Sequence, residues 1–327
     1  MKLLITGGLG FIGSNFILKI LENYKDFQII NVDAQKYGSN FQNLKRIENN
    51  ENYSYVNGDI TNSELMNSLI SKTDIVINFA AESHVDRSIS NAKPFLDSNI
   101  FGVFTILEAV KKYEKKIVHI STDEVFGSLE KETADENYKL NPSSPYSSSK
   151  ASAELLINSY VITYGINAKI TRCTNNYGPR QFPEKLIPKV IIKALKNEKI
   201  PIYGTGKNIR DWIFVDDHCS GILKVLFDGN DGESYNISAD NEVDNITIIE
   251  KILEYMDKSK ELMEFVGDRP GHDFRYSLDS SKIKKIGWKT ETDFETGLKN
   301  TIDWYIKNDS WWKNIDEEKL TKNPWES

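Results

Sequence analysis

A tyrosine and a lysine stand four residues apart in "YSSSK", as Tyr146 and Lys150, directly after Pro145. Proline suits the first position of a helix, and on a helix a four-residue spacing puts both side chains on one face. An ammonium beside a phenol favours the phenolate. A phenolate can take the proton of a sugar or alcohol hydroxyl while hydride leaves the same carbon. A second reactive group lies upstream, in "HISTDEVFG", which runs from His119 to Gly127. Here Thr122, Asp123 and Glu124 follow the apolar run "IVHI" with only Ser121 between. Two adjacent carboxylates repel each other and are poor strand formers. Their proximity should push their pKa values apart, leaving one protonated as acid and one ionised as base. The plainer alternative is that one or both only cap the next turn. The tyrosine and lysine suffice to take a hydroxyl proton; two extra carboxylates suggest extra proton transfers, removal of an activated C–H proton and protonation of a leaving hydroxyl.

Hydride transfer needs an acceptor, and the N-terminal stretch offers a place for one. "TGGLGFIGS" lies between the strand-like "KLLIT" and "SNFILKILENY", whose Phe16, Ile17, Ile20 and Leu21 fall at helical spacing. It reads both as Gly8-x-Gly10-x-x-Gly13 and as Gly7-x-x-Gly10-x-x-Gly13. Such glycines allow a tight turn, close approach of backbone to a pyrophosphate, and close helix packing; the helix N-terminus then faces the phosphate charge. Asp33 ends the next strand-like run, "QIINVD", 20 residues after Gly13. An acid there accepts hydrogen bonds from ribose hydroxyls and repels a 2′-phosphate, so the expected cofactor is NAD rather than NADP. The cofactor residues expected from this end are Gly7, Gly10, Phe11, Ile12, Gly13 and Asp33. "GDI" (with Asp59 and Ile60) and "AAES" (with Ala80, Ala81 and Ser83) end later strands on the same edge, where small residues let the cofactor lie close to the backbone.

"SYVNGD", "DIVINFA", "KIVHIS" and "AKITRC" continue the strand pattern, with helical patterns such as "SELMNSLI" and "NIFGVFTILEAVKKY" between most of them. Strands alternating with helices imply βαβ units and a parallel sheet with right-handed crossovers. The expected fold is α/β, a Rossmann-type doubly wound parallel sheet with a smaller α/β domain. The NAD-binding part is expected over 1–174, with 213–239 returning to it; the smaller part over 175–212 and 240–315; and a polar tail over 316–327. In such a sheet ligands bind outside the carboxyl ends of the strands, which would point Thr122, Asp123 and Glu124 into the crevice beside Tyr146.

With 327 residues, 39% hydrophobic, the chain can form one large domain or one large and one small. A net charge of −7 argues against a general nucleic-acid or anionic-membrane partner. Cys173 and Cys219 have neither disulfide nor zinc-ligand spacing, so no metal is expected. The opening "MKLLITGG" is too short in its apolar run for a signal peptide, and no long apolar segment follows; a cytoplasmic protein is the expectation.

Taken together the glycine turn, Asp33, Tyr146 and Lys150 resemble the extended short-chain dehydrogenase/reductase superfamily. Thr122, Asp123 and Glu124, with "AAESHVDRSI", "NNYGP", "FPEKLIP", "IYGTGKNIRDWIFVDDH" and "DRPGHD", resemble the dTDP-glucose 4,6-dehydratase family over nearly the whole chain. The resemblance implies that Thr122, Asp123, Glu124, Tyr146 and Lys150 are catalytic. It adds Ser98, Asn176, Tyr146 and Lys150 to the NAD set. It implies that Ser83, Thr122, Asn175, Lys185, Leu186, Pro201, Tyr203, Arg210, Asn245, Arg269 and His272 hold the nucleotide sugar, with Arg210 suited to a pyrophosphate. The implied reaction oxidises C4 with NAD, eliminates water across C5–C6 and reduces C6. In it Tyr146 takes the C4 hydroxyl proton, Glu124 the C5 proton, and Asp123 protonates the departing C6 hydroxyl. The same reaction on a UDP-hexose, a 4-epimerase, a nucleotide-sugar decarboxylase and a non-catalytic NAD sensor are the competing readings; the first shares the site, the epimerase and decarboxylase have no use for the acid pair, and the sensor none for an activated phenol. Relatives pair two helices per subunit, so "AKPFLDSNIFGVFTILEAVKKY" and "SSSKASAELLINSYVITYG" are expected to form a four-helix homodimer interface.

Overall fold

The computed structural model describes residues 1–268, 272–313 and 315. β1 (Lys2–Thr6), α1 (Phe11–Asn23), β2 (Gln28–Asp33), β3 (Tyr53–Asn57), α2 (Ser63–Ile70) and β4 (Ile75–Asn78) build the first half of a sheet. The chain then passes through α3 (Val85–Ser90), α4 (Lys93–Leu96), α5 (Val103–Lys112), β5 (Lys116–Thr122), α6 (Pro145–Tyr164) and β6 (Asn167–Cys173). β7 (Asn175–Tyr177), α7 (Leu186–Lys196), β8 (Ile200–Tyr203) and β9 (Ile209–Phe214) lead away from that sheet; α8 (Val215–Asp228) and β10 (Ser234–Ile237) return to it. β11 (Glu242–Asp244), α9 (Asn245–Tyr255), β12 (Met263–Val266), α10 (Ser281–Lys285), α11 (Phe294–Lys307) and α12 (Asp309–Lys313) complete the fold.

The large sheet has seven parallel strands in the order β10-β6-β5-β4-β1-β2-β3. Strands covered on both faces read as continuous apolar runs, and Leu3, Leu4 and Ile5 of β1 are wholly buried. One face packs on α1 and α8, through Phe16, Ile17, Ile20, Ile222 and Val225. The other packs on α2, α5 and α6, through Met66, Ile106, Val110, Ala153 and Ile157. Each of these side chains larger than alanine contributes roughly 1.5–3 kcal/mol by leaving water. Strand order reverses between β1 and β4, so the crevice opens at their carboxyl ends. Ile283 and Trp288, late in the chain, join the α1/α8 face of this core.

The smaller part carries a three-stranded sheet, β11-β9-β7, and a two-stranded one, β12-β8, packed with α7, α9, α11 and α12. The helix expected between residues 92 and 113 is not uniform: α4 and α5 are joined by a π-helical turn, Asp97–Gly102. Such turns are rare and recur at functional sites. Among the described residues no helix is long and apolar enough to cross a membrane, and no group of three or more His, Cys, Asp or Glu could hold a metal ion. The two cysteines are unpaired and buried. Arg269 and the tail at 316–327 lie outside the described residues.

Candidate active site

A cleft of about 310 Å³ follows the carboxyl ends of the strands. Its floor is the glycine turn. Gly7 has φ +70°, a left-handed conformation that costs glycine nothing. A Cβ there would sit 2.7 Å from the backbone of Ala80, so turn and β4 loop touch directly. A Cβ on Gly13 would lie 2.6 Å from the Gly7 carbonyl, so only glycine lets α1 press this close to the turn. Gly10 caps α1 without any side chain across its end, which leaves the first-turn N–H groups facing the cleft as a helix N-terminus does toward phosphate. Asp33 accepts from the Leu9 and Gln35 N–H groups, at 3.0 and 2.8 Å, and from the Ser39 hydroxyl at 2.7 Å. A carboxylate has capacity beyond three such bonds. Gly7, Gly10, Phe11, Ile12, Gly13, Asp33, Asp59, Ile60, Ala80, Ala81, Ser83, Ser98, Tyr146, Lys150 and Asn176 all line this one cleft. The open helix end, the glycine floor and an acid at the end of the neighbouring strand fit a dinucleotide.

The reactive end is held by α6. Ser144 caps it in a reciprocal box with Ser147, Pro145 occupies the first turn, and Gly165 ends it in the left-handed conformation. A buried ion pair, Arg172 with Glu154 at 2.7 Å, pins α6 to β6. Removing one partner of such a pair costs roughly 3–5 kcal/mol. Asn99, in the π turn, binds the Glu82 N–H and carbonyl at 2.9 and 3.0 Å and the Ser149 hydroxyl at 2.8 Å. The turn thus locks the loop after β4 onto α6.

Thr122, Asp123, Glu124, Tyr146 and Lys150 meet in the cleft. Thr122 caps the 3-10 turn Asp123–Phe126: its hydroxyl oxygen accepts from the Glu124 N–H at 3.3 Å and it donates to Asp123 Oδ1 at 3.1 Å. The capping role therefore falls to the threonine rather than to the acids. Asp123 is 4% exposed, and its Oδ2 has no protein partner. Burial, then the charge of Glu124, push its carboxyl up to about 8, against the pull of Thr122 and Arg210. Asp123 is protonated at neutral pH.

The phenol differs from expectation. Burial, the Glu124 charge and Cys173 hold Tyr146 well above the usual phenol value, with only a hydrogen bond from Thr122 lowering it. Lys150 is not among the leading influences on it. The reason is geometric: Lys150 Nζ donates to the Ile120 carbonyl at 2.6 Å and lies 3.3 Å from His119 Nε2. Burial brings Lys150 down to about 8, opposed by Glu154 and Cys173. The side chains are neighbours on one helix face, but within the chain alone the ammonium does not hold the phenol ionised.

Of the expected sugar-binding residues, Ser83, Thr122, Asn175 and Lys185 line the cleft, and Lys185 Nζ donates to the Ser83 carbonyl at 3.3 Å. Leu186, Pro201, Tyr203, Arg210, Asn245 and His272 do not. Leu186 opens α7, Asn245 opens α9, and Pro201 and Tyr203 sit in β8. His272 Nδ1 lies 2.7 Å from Asp268 Oδ1. Arg210 is 5% exposed and stacks 4.4 Å from the Tyr276 ring centroid; its guanidinium donates to the carbonyls of Ile209, Asp273 and Phe274. Among the described residues these bonds use three of its five donors.

Four cleft residues escaped the sequence reasoning. The Arg87 guanidinium lies 3.8 Å over the Tyr37 ring, the Tyr37 hydroxyl donates to Glu184, and His84 Nε2 is 3.4 Å from the same carboxylate. They tie the loop after Asp33 to the two segments that carry Ser83 and Lys185. The signal was present, since His84 and Arg87 stand in "AAESHVDRSI" and Glu184 beside Lys185 in "FPEKLIP".

A family model described as GDP-mannose 4,6 dehydratase matches residues 4–301. A dTDP-glucose 4,6-dehydratase of Mycobacterium tuberculosis is 44% identical over 320 residues, 96% of each chain. The crystal structure of a dTDP-glucose 4,6-dehydratase from Bacillus anthracis in complex with NAD is 45% identical and superposes with a TM-score of 0.92, covering 97% of this chain and 100% of that one. That of the dTDP-glucose 4,6-dehydratase DesIV from Streptomyces venezuelae, with NAD and TYD bound, is 40% identical with a TM-score of 0.95 and the same coverage. By sequence along nearly its whole length and by fold, the chain belongs to the dTDP-glucose 4,6-dehydratase family.

Proposed function

We propose that the protein converts dTDP-glucose to the 4-keto-6-deoxy nucleotide sugar and water, by oxidation at C4, elimination across C5–C6 and reduction at C6. The observation that carries this is the acid pair: Asp123, protonated, beside Glu124 in the cleft that also holds Tyr146 and Lys150. NAD, when bound, supplies the hydride acceptor for the first step, the donor for the last, and a positive charge near the phenol. The glycine turn and Asp33 hold it. Tyr146 takes the C4 hydroxyl proton, and Thr122 hydrogen-bonds the same oxygen. The resulting ketone acidifies C5–H, which Glu124 removes. Asp123 donates its proton to the C6 hydroxyl as water leaves, and Glu124 returns a proton to C5. The proton that Tyr146 gains equals the one Asp123 gives up, so the cycle closes when it passes from phenol to carboxyl.

A 4-epimerase would need no acid at Asp123 held up to about 8. A panel of thymidine and uridine diphosphate hexoses, with product masses read by mass spectrometry, tests the reading. Loss of one water from the thymidine sugar supports it, preference for the uridine sugars moves the assignment of the base, and products of unchanged mass sink it.

The cycle returns NAD to its starting state, so there is no call for exchange each turnover. Denaturing the purified protein is therefore expected to release NAD or NADH, seen by chromatography; a preparation carrying NADP alone contradicts the role given to Asp33.

The protein acts as a homodimer through α4, α5 and α6. Leu96, Phe101 and Phe104 on the first segment, and Leu155, Ile162 and Tyr164 on α6, are 41–85% exposed. An apolar set on two neighbouring helices is costly in a monomer. Sedimentation at micromolar concentration should show a dimer, and Phe101→Asp with Ile162→Asp should give a monomer. A wild-type monomer would contradict the assembly.

A further inference from the structure

Three central strands carry one polar residue each at the same level. Thr6 of β1 pairs in register with Asn78 of β4, and Asn78 with His119 of β5. All three are at most 1% exposed. Their side chains touch in sequence: Thr6 Oγ1 donates to Asn78 Oδ1 at 2.5 Å, and Asn78 Nδ2 lies 2.9 Å from His119 Nδ1. His119 Nε2 then lies 3.3 Å from Lys150 Nζ. At the other end the Ala80 N–H donates to Thr6 Oγ1 at 3.2 Å. A row of hydrogen-bonded groups therefore crosses the sheet under the cleft, from the residue before the glycine turn to Lys150. Burying polar groups in the middle of a sheet gains little over apolar ones, and the reaction as described uses none of the three.

The chemistry of the row is constrained by its end. An ammonium has donors only. While Lys150 is charged, His119 must therefore present the Nε2 lone pair to it, and Nδ1 carries the ring proton. While Lys150 is neutral, the amine can accept from Nε2–H, and Nδ1 accepts from the Asn78 amide. A half-turn of that amide exchanges its donor and acceptor ends, and the Thr6 hydroxyl serves either sense because it both donates and accepts. A valine or leucine at any of these places would break the exchange.

We propose that His119 is a positioning residue for Lys150, and that the row Thr6–Asn78–His119 reverses its hydrogen-bond sense as Lys150 gains or loses its proton, so that Nζ is held in place in both states. This rests on the reading of Lys150 as the partner of Tyr146. His119 itself stays neutral: burial, then the neighbouring Lys150 charge, hold it well below the usual imidazole value. The other ionisable groups acting on Lys150 are Glu154, which is already paired with Arg172, and Cys173 on β6. Lys150 gives up its proton at about 8, so the reversal belongs near that pH.

The protein has four histidines, which makes the ring nitrogens separable by NMR on ¹⁵N-histidine-labelled wild type and single-histidine variants. Between pH 6 and 10 the His119 signals should pass from Nδ1-protonated to Nε2-protonated with a midpoint near 8, and Lys150→Met should abolish the change. A single tautomer across that range, or a titration of His119 near its usual value, overturns the proposal. In kinetics, His119→Leu removes the acceptor that favours the ammonium, so the alkaline limb of C4 oxidation should move down by about one unit, with the rate falling about 2-fold at pH 7 and about 10-fold at pH 9 and above. His119→Gln, which keeps a polar end, should restore most of the limb. An unmoved limb in a folded His119→Leu protein counts against the role. Should that variant not fold, the wild-type spectrum decides. Should wild type oxidise no nucleotide hexose, the functional reading fails while the spectrum still judges the row.

Discussion

Replacing Tyr146 with Phe is expected to stop oxidation at C4, with single-turnover reduction of bound NAD slowed by about 10²–10⁴-fold or more, the usual size of a lost proton acceptor. Three of its neighbours are poorly placed to take over, and Glu124 is the base for C5. The hydroxyl of Thr122 is engaged with Asp123 and with the Glu124 N–H. Asp123 is already protonated at neutral pH. Lys150 is turned toward Ile120 and His119. The ring itself stays useful to packing, edge-on to Phe95 with centroids 6.3 Å apart, and that contact survives in phenylalanine. The variant should therefore keep its NAD and its melting temperature. Stopped-flow absorbance of NADH after mixing with the sugar nucleotide checks the chemistry; oxidation at the wild-type rate would remove Tyr146 from the first step.

The second large effect separates the two carboxyls. Glu124→Gln leaves Tyr146, Lys150 and Thr122 in place, so C4 oxidation should persist. Exchange of the C5 proton with solvent should fall by about 10²–10⁴-fold, again the cost of a lost base. Asp123→Asn should keep C5 exchange but slow departure of the C6 hydroxyl. The pH profile follows from the values in the site. Asp123 must be protonated to act, so elimination declines as pH rises through about 8. Lys150 loses its charge in the same range, so with Lys150 as the partner of Tyr146 once NAD is bound, C4 oxidation declines there as well. Asp123→Asn unmasks the lysine limb alone. The aspartate also has a cost in stability. Its folded value of about 8 lies above the ordinary 3.8. Its contribution is therefore intact below pH 3.8 and is lost progressively as pH rises toward 8. At pH 8 the asparagine variant should be more stable than wild type by on the order of 1 kcal/mol or more. Thermal melts at pH 5 and pH 8 read this: the gain should be smaller at pH 5.

The sheet and its cleft were legible because their signals are local. Six apolar runs became β1 to β6, and the glycine turn and Asp33 fell at the ends of strands with helix α1 after them. Tyr146 and Lys150 could be placed on one face because Pro145 and the Ser144 box fix where α6 begins. What the sequence could not give was where long side chains spend their hydrogen bonds. Lys150 finds a carbonyl and an imidazole contributed by β5, 30 residues away, and Arg210 finds three carbonyls, two of them in the 273–274 loop. Both are long-range outcomes of packing. The π turn at 97–102 has no sequence signature of its own. Tyr37 reaches Glu184 across 147 positions; no spacing rule links them. His119 stood in the same stretch as Asp123 and Glu124, but its partners are Asn78 on β4 and Lys150 on α6, and only the register of the sheet and the packing of α6 bring them together.

The central claim is that an oxidation and a reduction, joined by elimination of water, occur within one cleft and use the same hydride. dTDP-glucose carrying deuterium at C4 tests it most directly, with the product examined by NMR and mass spectrometry. The expected product has lost one water and carries the deuterium at C6. Deuterium retained at C4 in a product of unchanged mass, or a product that has lost water with hydrogen from solvent alone at C6, would contradict it.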